Sequence, residues 1–132
     1  MISVVDELVN ALKAQHVEST ESGESDDAIV QIAKEHAEWM AANNNLTHDG
    51  FEDRQAKAIS EVSDVRNFAE VVAMNGEETA QDAAASMVQQ WLHSRPHRLI
   101  INGHHDLYGY AMAKNDSGKW YACGFLCDAL PG

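Results

Sequence analysis

Leu107–Cys127 reads LYGYAMAKNDSGKWYACGFLC, and this stretch decides the class of fold. Residues 107–114 and 118–127 are two runs rich in aromatic and small apolar side chains, the composition of strands that face a core. They flank the segment KNDSG. Asp116-Ser117-Gly118 is turn chemistry: the Asp and Ser side chains hydrogen-bond local backbone, and Gly takes a positive φ without steric cost. Two runs joined so tightly form an antiparallel hairpin.

Upstream of the hairpin the period changes from two to that of a helix. Val4, Val5, Leu8 and Leu12 predict a short amphipathic helix in the first segment. Residues 17–27, VESTESGESDD, are polar and acidic and read as a loop. Ser25 is a good N-cap, with Asp26 and Asp27 favourable in a first helical turn. The helix it opens runs to about Asn43, with Ile29, Ile32, Ala33, His36, Ala37 and Met40 as its apolar stripe. Asn43-Asn44-Asn45 stops it. A short helix follows over about 51–62. Residues 67–74, NFAEVVAM, read as a strand, and Asn75-Gly76 as a turn. Thr79 to about Ser94 is a helix presenting Ala80, Ala83, Ala84, Met87, Val88 and Trp91, and Pro96 ends it. Helices come first and most strands last, which predicts an α+β fold of antiparallel strands with helices packed on them. No repeat or long linker divides the chain, so residues 1–132 are expected to form a single domain.

The formal net charge is -12. A surface of that sign repels phosphate backbones, which argues against nucleic acid and anionic membranes as partners. It suits solubility and cation binding. No run of about 18 apolar residues exists, so no transmembrane segment is expected. The opening MISVVDELVNALKA carries acids early and lacks a basic n-region, so it does not read as a signal peptide. An intracellular protein and a secreted one whose leader has been removed both fit. Cys123 and Cys127 lie four residues apart on one strand, about 13 Å between alpha carbons. A disulfide between them would need the strand to end or bulge. They read as two small apolar side chains on one sheet face.

Candidate chemistry rests on seven histidines: His16, His36, His48, His93, His97, His104 and His105. Four fall between residues 93 and 105. His93 and His97 have the HxxxH spacing that puts two imidazoles on one helix face, but Pro96 interrupts it. His104 and His105 are adjacent, so extended backbone points them apart. There is no HExxH, no GxSxG, no phosphate-binding glycine loop and no dinucleotide fingerprint. The residues alone lead to a histidine-rich cleft and no defined reaction.

Four stretches together resemble a known family. AKEHAEWMAANNNLTHDGFEDR, residues 33–54, is similar to a helix of the form AxxxAxxMAxxN followed by S/T-H-D-G-F and an arginine. FAEVVA resembles G-E-N-I/V-A, WLHSRPHRLII resembles W-x-x-S-P-x-H-R-x-N-I-L, and GHHDLYGYAMAK resembles a G-H-F-T-Q motif running into a strand. Their order and spacing match the CAP superfamily of cysteine-rich secretory, antigen 5 and pathogenesis-related proteins over about residues 28–127. The resemblance implies an α-β-α sandwich with a three-stranded antiparallel sheet. It also implies a cleft of two histidines and two glutamates able to hold zinc or another divalent metal. By motif, His48 and His104 correspond to the histidines and Glu70 to the first glutamate. The second glutamate position is Ser94. His97 either lines the cleft as a further ligand or fixes its loop, and Arg98 beside it is structural. Ala69 and Val71 replace the usual neighbours of the motif glutamate, and His105 and Asp106 those of the second histidine.

His48, His104 and Glu70 would suffice for an open zinc site with water in the fourth position, able to support hydrolysis. Without metal, Glu70 is the candidate catalytic base. The resemblance implies a secreted binding or interaction module with a lipid, peptide or protein partner. Met40, Met74 and Met87 are candidate lining for a lipid groove, or core. The alternative is a metal-dependent hydrolase or protease using the same cleft.

Overall fold

The computed structural model describes residues 2–130. In chain order its elements are β1 (Ile2–Val4), α1 (Asp6–Ala14), α2 (Glu18–Ser22), β2 (Glu24–Ser25), α3 (Asp27–Asn43), α4 (Phe51–Glu61), β3 (Val65–Asn75), α5 (Ala80–Leu92), α6 (Arg95–Ile101), β4 (Leu107–Lys114) and β5 (Trp120–Ala129). The predicted hairpin is β4–β5, in antiparallel register from Leu107↔Cys127 to Lys114↔Trp120. β3 pairs antiparallel with the other edge of β5. These three strands are the expected sheet, but β1 and β2 enlarge it to five among the described residues. Both lie along the free edge of β4, β1 antiparallel at its end and β2 parallel at its start.

Strand alternation divides the interior into two cores. Tyr108, Tyr110 and Met112 of β4 face one way, with Leu8 and Leu12 of α1, Met87 and Trp91 of α5 and Ile101 of α6. Ala111 and Ala113 of β4 and Tyr121, Cys123, Phe125 and Cys127 of β5 face the other, under Ile29, Ile32, Ala33, Ala37 and Met40 of α3. The result is the expected α-β-α sandwich. Cys123 and Cys127 share one face as buried free thiols. Gly109 lets α3 lie directly on the sheet: a Cβ there would sit 2.5 Å from the backbone of Ile29 and Val30.

The differences from the sequence reading have identifiable causes. The segment read as a loop, 17–27, holds α2 and β2. Ser19 is fully buried in it, its hydroxyl 3.0 Å from that of Tyr110. Asp26, not Ser25, caps α3, accepting from the amides of Ala28 and Ile29 at 2.9 and 3.2 Å. Val4 belongs to a strand rather than to the first helix. Pro96 does end α5, but it also opens α6 from the first helical turn, where its missing N–H is not needed.

Candidate functional site

His48 lies on the loop between α3 and α4. Asn44 ends α3 in the left-handed conformation (φ 48°), and Gly50 precedes α4 at φ 85°. Between them the Thr47 hydroxyl accepts from the Asp49 amide at 3.0 Å. The Thr47 carbonyl accepts from Nε2 of buried His36 at 2.7 Å. Phe51 then anchors the start of α4 edge-on against Phe125, centroids 5.8 Å apart.

This loop is bound to Glu70 of the edge strand β3. His48 Nδ1 donates to Glu70 Oε1 at 2.9 Å. Arg54, one turn into α4, grips the same carboxylate with two prongs: Nε to Oε2 at 2.6 Å and Nη2 to Oε1 at 2.7 Å. Its remaining donors reach back to the carbonyls of Asp49 (2.8 Å) and His48 (3.1 Å). The Glu70 side chain is 1% exposed and that of Arg54 12%. A carboxylate so deep requires a charge-assisted partner, and the guanidinium fork is the strongest available. The Glu70 carboxylate in turn adds to burial in pushing the Cys123 thiol well up, so it stays protonated and is a poor nucleophile.

The other predicted ligands are dispersed. His97, on α6, bonds through Nδ1 with Ser94 Oγ at 2.7 Å. Burial lowers its pKa, and the nearby charge of His48 lowers it further. Ser94, in place of the family's second glutamate, therefore orients an imidazole. His104, three residues before β4, has Ser22 Oγ at 3.2 Å and Asp106 Oδ1 at 3.4 Å as its neighbours, and it is largely exposed. His105 turns toward Asp128, Nδ1 to Oδ1 3.7 Å, both atoms buried without a hydrogen-bond partner. Met40 and Met87 are fully buried in opposite cores, so with Met74 they form no common groove.

The expected His48–Glu70–His104 ligand set is thus not assembled. Among the described residues no three His, Cys, Asp or Glu side chains are grouped to hold a metal ion. The donor set does not fit a resident zinc for a physical reason. Both Glu70 oxygens already serve Arg54 and His48, and a dication there would face a buried guanidinium at contact distance. Arg54 appeared in the sequence only as a motif letter. Its signal was position: six residues after His48, on the first turns of a helix, with donors enough to tie loop and strand together.

The fold resembles that of an outer surface protein from Borrelia burgdorferi, with a TM-score of 0.70 and 20% identity over 95% of this chain and 89% of that one. It also resembles an extracellular protein containing an SCP domain from Bacillus anthracis, with a TM-score of 0.63 and 18% identity over 92% of this chain and 39% of that one. No match was found among curated proteins. Residues 22–125 match CAP, the cysteine-rich secretory protein family. The chain belongs to the CAP family, as its four motifs implied.

Proposed function

We propose that this chain is an extracellular CAP binding module that engages a peptide or protein partner without resident metal and without turnover. The observation that carries this reading is the two-pronged grip of Arg54 on Glu70. Both oxygens of this carboxylate are committed, Oε1 to His48 and Arg54 and Oε2 to Arg54, and the side chain is 1% exposed, which favours a positioning role for Glu70 over that of a base toward water. It holds His48 by Nδ1 and leaves Nε2 for a ligand, as Ser94 does for His97. The extracellular setting is supported by the outer-surface and extracellular proteins that share the fold.

Zinc calorimetry at pH 7.5 on wild type, His48→Ala and His104→Ala tests the metal-free part. We expect no saturable stoichiometric binding, since no three ligand side chains are grouped among the described residues and zinc sites use three or four. A stoichiometric site abolished by either substitution overturns it. A peptide-library digest with and without chelator tests turnover. Cleavage that chelator and Glu70→Gln both abolish would establish the hydrolase alternative instead.

A further inference from the structure

A cleft lies beside this site, between α3 and α4. It encloses about 440 Å³ and includes Trp39, His36, Asp49, Asp53, Arg54 and Lys57 in its lining. Trp39 is 45% exposed, whereas Trp91 and Trp120 are 1% and 3% exposed. Its indole lies nearly parallel to the His36 ring, 11° between planes and centroids 6.2 Å apart. His36 is itself fixed by the Thr47 carbonyl, so the aromatic wall is pre-formed.

The charges of the cleft are unequal in availability. Lys57 is paired across it with Glu35 at 2.8 Å, and Arg54 is given to Glu70. Asp49 and Asp53 have no cationic partner among the described residues. A flat, open indole beside two unpaired carboxylates suits a planar cation. A guanidinium stacks on an aromatic face and forks onto carboxylates, which an ammonium does less well. The net charge of -12 draws such a ligand toward the molecule.

We propose that the α3–α4 cleft binds an arginine side chain of a peptide partner, stacked on Trp39 with its guanidinium between Asp49 and Asp53. This names a partner chemistry for the binding-module reading, and it uses neither His48 nor metal.

Trp39 is the exposed tryptophan, so its fluorescence and its protection from acrylamide report the cleft directly. The probes are blocked pentapeptides, Ala-Ala-Xaa-Ala-Ala, with Xaa as arginine, lysine or the neutral isostere citrulline, at low salt. We expect saturable protection with arginine, weaker with lysine and absent with citrulline. Asp53→Asn weakens arginine binding by up to about fivefold, the upper end for an exposed charge pair. Asp82→Asn on α5, in the opposite helical layer, makes the same charge change and leaves binding intact. Trp39→Leu, followed by calorimetry, abolishes the preference for arginine over lysine. Equal binding of citrulline, equal loss in Asp82→Asn, or no binding at millimolar peptide overturns the proposal. His48→Ala separates the two readings: it leaves arginine binding unchanged, whatever its effect at the other site.

Discussion

Glu70 is the residue on which the site depends, and its charge is stable only because Arg54 lies against it. Removing one partner of a buried pair strands the other, at a cost of about 3–5 kcal/mol. We expect Arg54→Met to lower stability by about that much in urea unfolding, and Arg54→Lys to recover only part, since an ammonium cannot fork. The double substitution Arg54→Met, Glu70→Leu should be milder than Arg54→Met alone, because no orphan charge remains. A double variant at least as unstable as the single one would mean that the pair is not the source of the loss.

His36 carries a pH dependence. Burial lowers its pKa below 6.5; the Thr47 hydrogen bond opposes this in part, and the charge of Arg54 lowers it further, with lesser effects of Glu70 and His48 in opposite directions. The unfolded chain therefore takes up this proton first as pH falls. The stability from neutral His36 is complete above about 6.5 and is lost as pH drops toward the folded pKa. The slope reaches at most about 1.4 kcal/mol per pH unit. Urea midpoints between pH 5 and pH 8 should show this decline in wild type and a flatter profile in His36→Gln. Identical profiles would place the pH dependence elsewhere.

Elements follow the sequence where their own residues determine them, and depart from it where a neighbour does. The α3 stripe and the β4–β5 hairpin are periodic over long runs, and both form as read. The cap of α3 is a choice between adjacent good residues, and the structure chooses Asp26. Asp26→Ala should therefore cost about 1 kcal/mol and Ser25→Ala a few tenths. The reverse order in thermal unfolding would contradict the cap geometry. Gly109→Ala tests the seating of α3 on the sheet. A methyl 2.5 Å from helix backbone cannot be relieved by a rotamer change, so we expect a loss of about 2–3 kcal/mol. A neutral Gly109→Ala would mean that α3 is free to lift. α2 and β2 went unread because their stability comes from outside. Ser19 is buried by Tyr110 rather than by any apolar pattern of its own.

At the scale of the molecule, a net charge of -12 on a small fold is self-repulsive. Added salt screens that repulsion over about 10 Å at 0.1 M. The thermal midpoint should rise as NaCl goes from about 20 to about 200 mM. A flat or falling midpoint would show that local ion pairs such as Lys57–Glu35 outweigh the global charge.

The amino-acid sequence by itself determined the long helices, the β4–β5 hairpin and, through four motifs in order, the family and the sandwich it implies, because periodicity and turn chemistry are local and four ordered motifs are specific. His48 and Glu70, which the resemblance assigns to one cleft, lie 2.9 Å apart. Only the tertiary structure decided that Arg54 grips Glu70, that His104 turns to Ser22 and Asp106, and that Trp39 stands open beside carboxylates with no cationic partner among the described residues. Each is a question of which side chains meet across distant segments, and a carboxylate's partner is chosen by geometry and charge in space rather than by spacing along the chain.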